Sequence, residues 1–365
     1  MRVVVLGCGF GGVEVASELR KRSKELEIIM IDRRAKLEYQ AAYPELLSGK
    51  VTADAISGDL HTFASRINAA FIHDAVVNVD VEAKKVTTRK RGELPYDFIV
   101  ISIGAEQTFF GIPGAEERSY SINTLKGALE TKDALDTLDY TKERHIVVIG
   151  AGLTGVEVAG ELVDYLRNRA SAKIYLVELM PRILPAFPTE NVANYAANFL
   201  SESGVVLLTG AAVQEVSEHE ITFKDGRKLP YDLIIWTGGI KPNSLLEKLN
   251  LPKVQGWLKV DAYLRAAKDV FAIGDTAHIE RKGARAGQNV EEAERQGKAA
   301  ADNILRAIRG EQLKRYRPKN TIQNPRAFLS LGSNKAVMYV GGMMFKAFAY
   351  RLKKFVERKY MKRFW

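Results

Sequence analysis

Two glycine-rich segments of this sequence have the spacing of a dinucleotide-binding turn. Both have the form Gly-x-Gly-x-x-Gly, and their glycines are Gly7, Gly9 and Gly12 in the first segment and Gly150, Gly152 and Gly155 in the second. The first glycine of such a segment permits a tight turn, the second lets backbone N–H groups approach a pyrophosphate, and the third lets a helix pack closely on a strand. Two copies in one chain predict two bound dinucleotides.

A carboxylate follows each glycine segment at the distance that suits an adenosine ribose. Asp32 lies twenty residues after Gly12, and Glu178 lies twenty-three residues after Gly155. A carboxylate at this point accepts hydrogen bonds from the ribose hydroxyls. The repetition of glycines and acid together argues against a chance glycine-rich turn.

The elements around these residues repeat as a unit. Apolar strands at residues 3–6 and 146–149 precede the glycines, and helical patterns at 14–22 and 156–169 follow them. The second unit begins 143 residues after the first. Alternation of short apolar strands with helices is typical of an α/β fold with mainly parallel sheets.

Smaller features mark where the chain passes between the two units. Strands that end in small residues, at 96–104 and 231–238, each follow a turn-rich hairpin. The Gly-Ile-Pro-Gly segment at 111–114 is typical of a crossing, and residues 238–242 are typical of a return. We therefore expect one discontinuous unit (1–112 and 241–315), a second unit inserted into it (113–240) and a C-terminal region (316–365).

A further strand, at residues 269–277, ends in Gly274-Asp275 and has no glycine fingerprint. In this position it resembles the closing motif of the flavoproteins that bind two dinucleotides. The resemblance implies that Asp275 binds the ribityl chain of FAD, that the first unit holds FAD, and that the inserted unit holds a nicotinamide dinucleotide. Glu178 then favours NADH over NADPH, because a carboxylate repels the 2′-phosphate, although the nearby Arg182 leaves NADPH open. The alternative for Asp275 is an N-capping residue of an ordinary turn.

The cysteine and histidine content narrows the class of flavoprotein. The chain has one cysteine, Cys8, and its five histidines lack the spacing of a zinc site, so we expect no metal. A redox-active dithiol is excluded, and the disulfide reductases with it. NADH peroxidases and sulfide:quinone oxidoreductases need a cysteine near the flavin ring, whereas Cys8 lies within the first glycine turn and is interpreted as a small packing residue.

Three stretches carry a more specific resemblance. The run Gly-Leu-Thr-Gly-Val-Glu-Val-Ala-Gly-Glu-Leu at 152–162 resembles a helix of the type II NADH:quinone oxidoreductases, single-chain respiratory enzymes that do not pump protons. Residues 39–49 and 328–337 resemble two further segments of that family. The resemblance implies that hydride passes from NADH to FAD and electrons pass on to a membrane quinone, with Glu157 near the meeting of the three sites. The alternative is that Glu157 only offsets a helix dipole.

The helix around residues 287–297 departs from that family. The Ala-Gln pair that touches quinone in the family corresponds here to Val290-Glu291. A carboxyl group beside the flavin would have its pKa raised by loss of water and could donate a proton to the reduced quinone. The alternative is that Glu291 and Glu292 are solvated and that Gln288 or backbone groups orient the quinone.

The motifs and the resemblance together predict a full set of site residues. The catalytic candidates are Glu157 and Glu291, and the quinone contacts are expected at Gln288, Glu291 and Lys335. The dinucleotides are expected to contact Gly7, Gly9, Phe10, Gly11, Gly12, Asp32, Arg33, Ala105, Gly150, Gly152, Gly155, Glu178, Gly238, Gly239, Gly274 and Asp275.

Positive charge is concentrated at the C-terminus. Residues 310–365 contain 14 Lys and Arg but two acids, for a net charge of +12, which leaves 40 basic and 42 acidic residues in 1–309. A helix over residues 344–356 would present one apolar face and a basic opposite face, the composition of a helix that lies in the headgroup region of an anionic bilayer. Tyr360, Phe364 and Trp365 would continue as interfacial aromatics. The alternative is that this segment packs on the flavin unit as ordinary core.

Attachment is expected to be peripheral. No apolar run approaches the roughly 20 residues of a spanning helix, and the chain opens directly into a strand, which leaves no room for a signal peptide. We therefore expect the cytoplasmic face of the cell membrane as the location. We expect no nucleic-acid partner, because apolar residues at helical spacing suit a bilayer better. A homodimer is left open, as is a second acceptor class: a ferredoxin, a rubredoxin or oxygen in place of quinone.

Overall fold

Two sheets of mainly parallel strands organise the chain in the computed structural model, which describes residues 1–167, 169 and 172–364. The first sheet has six strands, in the spatial order Arg265–Ala267, Val270–Ala272, Phe98–Ile101, Arg2–Leu6, Glu27–Asp32 and Ala70–His73. The second has five, in the order Tyr120–Ser121, Leu233–Trp236, Arg144–Ile149, Ala172–Val177 and Val205–Leu208. The second sheet is thus built from chain inserted between strands of the first.

The central strands are apolar throughout because helices cover both of their faces. Residues Val3 to Leu6 have no exposed surface, and neither have Ile146 to Val148. Such continuous apolar runs are typical of parallel strands. The expected α/β fold with two Rossmann-like units is confirmed, while the unit boundaries at residues 112, 240 and 315 stay a prediction.

Antiparallel strands connect and cap the two units. Ala105–Gln107 pairs with Ile240–Pro242, where the chain leaves the first unit and returns to it. Each unit also carries a three-stranded antiparallel sheet, with strands Val76–Asp80, Lys85–Thr88 and Gly92–Pro95 in the first and Val213–Val216, Glu220–Phe223 and Lys228–Pro230 in the second. The remaining short strands are Lys36–Glu38, Ser57–Asp59, Lys253–Val254, Trp257–Lys259, Ala277–His278, Glu280–Arg281 and Ala284–Arg285.

Four helices position the candidate site: α1 (Phe10–Arg22), α2 (Leu153–Leu166), α3 (Val290–Ile308) and α4 (Ala349–Met361). The other helices are Tyr43–Leu47, Leu60–Arg66, Ala115–Arg118, Leu125–Thr137, Glu190–Glu202 and Leu245–Lys248, with 3₁₀ turns at Gln40–Ala42, Asp54–Ile56 and Gly274–Thr276. Helices α1 and α2 begin directly after the second glycine of each fingerprint, a few residues before the starts that the helical periodicity predicts.

The fingerprint glycines are required by close backbone approach. Gly7 has φ +85°, a conformation that favours glycine. A Cβ on Gly12 would lie 2.0 Å from the carbonyl oxygen of Gly7, and one on Gly155 would lie 1.8 Å from that of Gly150. Any side chain at the third glycine would therefore separate helix from strand, as the fingerprint predicts.

The C-terminal region differs from its expected form. A sheet of strands Ala327–Ser330, Ala336–Val340 and Met343–Phe345 precedes α4. The predicted helix over 344–356 is therefore wrong in its bounds, since its first residues belong to a strand and the helix starts at Ala349. Tyr360 and Phe364 are 7% and 4% exposed, so both are buried rather than interfacial. Trp365 lies outside the described residues.

The outward face of α4 is apolar, as the sequence predicts. Leu352, Phe355 and Val356 are 42%, 62% and 44% exposed, and Phe348, just before the helix, is 73% exposed. The alternative that this segment packs as ordinary core is wrong for these side chains. Among the helices that the structure describes, none combines the length and hydropathy needed to cross a bilayer.

Candidate functional site

The first glycine turn is tied to Asp32. The carboxylate accepts hydrogen bonds from the backbone N–H of Cys8 at 2.7 Å and from that of Arg34 at 2.8 Å. A Cβ on Gly9 would meet nothing within 4 Å, so the turn is open on the side from which a pyrophosphate would approach. The open turn, the free N-terminus of α1 and the carboxylate beside them fit the diphosphate and ribose of a dinucleotide.

The second glycine turn repeats this geometry. Glu178 accepts from the backbone N–H of Ala151 at 2.8 Å and from that of Met180 at 2.9 Å. Gly152 is open in the same way as Gly9. Since both turns are open at the second glycine and carry a carboxylate bound to the turn backbone, the residues present fit two dinucleotides.

Asp275 carries a carboxyl group without a protein partner. Within the described part of the chain its carboxylate has no ion pair or hydrogen bond, and burial alone raises its pKa to about 6. Its neighbours are fixed, since Gly274 N–H donates to Gln296 Oε1 at 2.6 Å and Gly104 N–H donates to Thr276 Oγ1 at 2.9 Å. An unpaired, partly shielded carboxyl in a rigid turn fits a polyol ligand such as the ribityl chain.

The other predicted dinucleotide contacts lie around these turns. Phe10 packs edge-on against Tyr39, with 5.3 Å between ring centroids. The side chain of Arg33 is exposed, and it is the neighbouring Arg34 that forms an ion pair with Glu38 at 3.1 Å. Ala105 lies in the strand that links the units. Gly11, Gly238 and Gly239 line the two glycine turns. The carbonyls of Gly238 and Gly239 accept hydrogen bonds from Gln107 Nε2 at 3.3 Å and 3.0 Å.

Glu157 lies at the junction of the two units and the C-terminal region. It stands in the first turns of α2, is 5% exposed, and accepts from the backbone N–H of Ser330 at 2.9 Å. Lys353 Nζ of α4 lies 3.6 Å from its Oε1. Burial raises the pKa of Glu157 to about 7, with Lys353 and Ser330 opposing that rise. A carboxyl group with this pKa is suited to hold and release a proton at neutral pH.

Lys353 is the centre of a buried charge cluster. Its Nζ lies 2.9 Å from Glu45 Oε1, 3.3 Å from Ser330 Oγ and 3.6 Å from Glu357 Oε1. Burial alone would lower the pKa of Lys353, but the carboxylates of Glu157, Glu45 and Glu357 outweigh it and raise that pKa. The cluster draws on the first unit, the inserted unit and the C-terminal helix at once.

Neighbouring pairs extend the cluster in two directions. Lys354 Nζ lies 2.5 Å from Glu45 Oε2 and 2.6 Å from Glu357 Oε2. One helical turn beyond Glu157, the fully buried Glu161 accepts from Ser48 Oγ at 2.5 Å and pairs with Lys50 at 2.8 Å. Sequence reasoning missed Lys353 and Glu45, because an amphipathic helix with an outward apolar face gives no sign of which polar residues point inward.

Glu291 forms its contacts with the C-terminal region. Its Oε1 lies 2.9 Å from Arg326 Nη1, its Oε2 accepts from Asn320 Nδ2 at 3.3 Å, and the side chain is 37% exposed. Glu292 has no exposed surface and accepts from the backbone N–H groups of Lys319 and Asn320, both at 2.8 Å. The alternative that both carboxylates are solvated is therefore wrong for Glu292, which anchors the segment that follows α3.

The other two predicted quinone contacts, Gln288 and Lys335, interact with different parts of the chain. Gln288 Nε2 donates to the carbonyl of Asp275 at 3.5 Å. Lys335 lies in the turn of the C-terminal sheet, with Nζ 4.8 Å from the ring centroid of Phe199 in the inserted unit. Lys335 is thus part of a different surface from the turn that carries Asp275.

Glu294, one turn after Glu291 on α3, is a further candidate for a carboxyl group that holds a proton, and it was not predicted from the sequence. Burial raises its pKa, the charge of Glu14 adds to the rise, and Arg363 opposes it. Arg363 in turn lies 2.7 Å from Glu14 and fastens the end of the chain to α1. The spacing of Glu291 and Glu294 on one helical face was the available signal.

Two Rossmann-like units, each with a turn that fits a dinucleotide, have the architecture of the oxidoreductases that bind two dinucleotides. The sequence profile of the pyridine nucleotide-disulphide oxidoreductase family matches residues 1–297, and the chain belongs to that family. Members typically bind FAD and NAD(P)H, and the chain is an FAD- and NAD(P)-dependent flavoprotein oxidoreductase.

Individual relatives agree with this assignment. A type II NADH:quinone oxidoreductase of Staphylococcus saprophyticus is 28% identical over 75% of this chain and 74% of its own length. One of Staphylococcus aureus is 27% identical over 93% of this chain and 90% of its own.

Solved structures extend the likeness over the whole fold. The sulfide:quinone oxidoreductase of Aquifex aeolicus superposes with a TM-score of 0.88 at 21% identity, covering 99% of this chain and 91% of that one. NDH2 of Plasmodium falciparum, solved with NADH, gives 0.86 at 18% identity, covering 100% and 94%.

Proposed function

We propose that this protein transfers electrons from NADH through FAD to a quinone held in a membrane, without pumping protons. The observation that carries the proposal is the Glu157–Lys353 pair, buried where the two units meet the C-terminal helix. The staphylococcal relatives, which are named as type II NADH:quinone oxidoreductases, support it at 27–28% identity.

The bound flavin supplies hydride acceptance from NADH and electron delivery to the acceptor. The chain's own residues bind the two dinucleotides and orient them. The glycine turns and the acids Asp32 and Glu178 hold the two dinucleotides, and Asp275 holds the ribityl chain. We place the FAD unit at residues 1–112 and 241–315 and the NADH unit at 113–240.

Glu157 is proposed to hold the proton that a reduced quinone oxygen needs. Its carboxyl has a pKa of about 7, so both protonation states are accessible at neutral pH. The positive charge of Lys353 opposes the rise in the pKa of Glu157 that burial causes, so the carboxyl group can still release its proton at neutral pH. Glu291 is proposed to hold the guanidinium of Arg326 through their ion pair, so that Arg326 can donate a hydrogen bond to a quinone oxygen, rather than to act as a proton donor itself.

NADH is proposed as the preferred nucleotide. Glu178 occupies the position where a 2′-phosphate would have to lie. The guanidinium of Arg182 donates to the carbonyls of Phe187 at 2.6 Å and Leu184 at 3.2 Å. Because the guanidinium of Arg182 is bound to these carbonyls, it is poorly placed to bind a 2′-phosphate.

The C-terminal region is proposed to lie on the cytoplasmic face of an anionic membrane. The exposed side chains of Phe348, Leu352, Phe355 and Val356 form one apolar surface on and beside α4. Eight basic residues lie between Lys346 and Arg363 against one acid, Glu357, which is buried. An outward apolar stripe flanked by cations is the composition of an interfacial helix.

The test is anaerobic oxidation of NADH by the purified flavoprotein with menadione or ubiquinone-1, beside ferricyanide as an acceptor that needs no quinone site. Rapid quinone reduction is expected. Reduction of ferricyanide and a small iron–sulfur protein, without quinone reduction, would favour a ferredoxin or rubredoxin acceptor. In a separate aerobic assay, rapid turnover with oxygen as the sole acceptor would favour an oxidase. Sulfide is not expected to donate electrons, because the one cysteine, Cys8, is buried in the first glycine turn.

A further inference from the structure

A pocket of about 550 Å³ opens between the C-terminal sheet, the start of α4 and the helix Glu190–Glu202. Lys335, Lys346 and Arg351 line it together with Tyr195 and Tyr350. Three of its nine lining residues are cations, and none of those nine described residues is an acid. The pocket therefore has a positive potential that its own wall does not neutralise.

Aromatic rings, not carboxylates, hold these cations. Lys346 Nζ lies 3.9 Å from the ring centroid of Tyr195, and the Arg351 guanidinium lies 6.0 Å from that of Phe348. Across the residues that the structure describes, none of the three pocket cations forms an ion pair, in contrast to Lys353 and Lys354 next to them on α4. A ring face orients a cation while leaving its charge available to an anion.

The rim of the pocket is part of the exposed apolar surface. Phe348 lines the pocket and is 73% exposed, and the outward side chains of Leu352 and Phe355 follow it along α4. The cationic pocket and the apolar surface therefore open side by side. That arrangement matches the headgroup and the acyl chains of one lipid.

We infer that this pocket binds the phosphate of an anionic phospholipid headgroup, an inference that rests on the membrane attachment in the proposed function. Arg351 presents the planar donor fork that suits phosphate oxygens, and Lys335 and Lys346 add two point charges. The lipid phosphate fills the pocket while its acyl chains lie beside Phe348 in the bilayer. The headgroup thereby fixes the depth and orientation at which α4 meets the membrane.

The experiment measures binding to two kinds of phosphatidylcholine vesicle with equal surface charge, one containing phosphatidylglycerol and the other containing oleate. The test variant is K346S/R351S, and the matched control is R358S/K359S, which removes two exposed charges from the same helix outside the pocket. Charge loss alone is expected to weaken both variants about 25-fold, at about fivefold per cation.

The pocket variant alone is expected to lose the preference of the full chain for phosphatidylglycerol over oleate. Equal loss of that preference in both variants, or no preference in the parent protein, would overturn the inference. Glycerol phosphate in solution forms a third arm. If it raises the Tm of the parent but not of the pocket variant while the vesicles show no preference, the pocket takes a free phosphate and the lipid assignment is wrong.

Two controls separate this inference from its premises. All four substituted side chains are exposed, so flavin content and Tm in buffer are expected to match the parent in both variants. Menadione reduction by the parent protein without lipid tests the acceptor independently. Absence of that activity, with the phosphatidylglycerol preference intact, would count against the quinone proposal and leave the pocket standing.

Discussion

The ammonium group of Lys353 lies 3.6 Å from Oε1 of Glu157, and both side chains are at most 7% exposed. One belongs to the last helix of the chain and the other to the glycine-fingerprint helix of the inserted unit. The pair thus links the surface proposed to face the membrane with the proposed site of hydride and proton transfer.

Replacing Glu157 by Gln tests its proton. Burial raises its pKa to about 7, so the protonated carboxyl is present below pH 7 and lost above it. The kcat/KM for ubiquinone-1 of the parent should therefore fall as the pH rises through about 7, and E157Q should be slower by about 100-fold or more and lack this limb.

Anaerobic stopped-flow measurements should show unchanged reduction of the flavin by NADH in E157Q. The exposed Glu202→Gln serves as the control and should keep the parent profile. If kcat/KM for ubiquinone-1 still falls above about pH 7 in E157Q, that pH dependence belongs to another group.

Replacing Lys353 by Met tests the buried cluster. The change leaves Glu45, Glu157 and Glu357 without their shared cation, and loss of one partner of a buried pair costs about 3–5 kcal/mol. Tm, followed by release of flavin fluorescence, should fall by many degrees, whereas the exposed Lys359→Met should leave it near the parent value. Any folded K353M should also show its pH limb displaced upward, because Lys353 lowers the pKa of Glu157. An unaltered Tm would mean that the pair is not formed.

Replacing Glu178 by Gln tests nucleotide choice. The amide can still accept the backbone hydrogen bonds of Ala151 or Met180 but no longer repels a 2′-phosphate. The ratio of kcat/KM for NADH to that for NADPH should fall by about tenfold or more. Flavin content should be unchanged, because Glu178 follows the strand Ala172–Val177 of the second sheet, outside the proposed FAD unit. Equal efficiency of the parent with both nucleotides would contradict the proposed preference.

Replacing Glu291 by Gln separates orientation from proton transfer. Because Glu291 is paired with Arg326 at 2.9 Å, its loss should raise the KM for quinone and leave the pH limb in place. Arg326→Met should also raise this KM, because it removes the hydrogen-bond donor that the ion pair holds in place. A shifted pH limb in E291Q, with a normal KM, would make Glu291 the proton donor instead.

Serine at Leu352 and Phe355 tests the membrane surface. The two side chains are 42% and 62% exposed, so their loss should leave Tm unchanged while binding to anionic vesicles falls roughly tenfold or more for each. The buried Phe364→Ser provides the contrast, since it should lower Tm by disturbing its stacking on Phe63. Vesicle binding equal to the parent in L352S/F355S would locate the attachment elsewhere. Removing the chain after Gly342 is a poorer test, because it also deletes Tyr360 and Lys353 from the interior.

The two Rossmann-like units can be predicted from local sequence patterns alone. Their signals are local: a strand, three glycines at fixed spacing and an acid at the next strand end, repeated once. Gly12 is required by close approach to the carbonyl of Gly7, and Gly155 by close approach to the carbonyl of Gly150, each five residues earlier in the chain. Because these constraints act between residues that are close in the chain, their spacing is visible in the sequence, and the fold class could be predicted without knowledge of long-range contacts.

Which charges meet depends on the packing of elements that are distant in the chain. Glu45, Glu157 and Lys353 are separated by more than a hundred residues of chain and come together because α2, the helix Tyr43–Leu47 and α4 pack at one junction. The apolar periodicity of α4 identified an amphipathic helix but not its orientation. Lys353 and Lys354 pair inward with the buried Glu45, and the apolar face is left outward. That orientation depends on partners that no local pattern specifies.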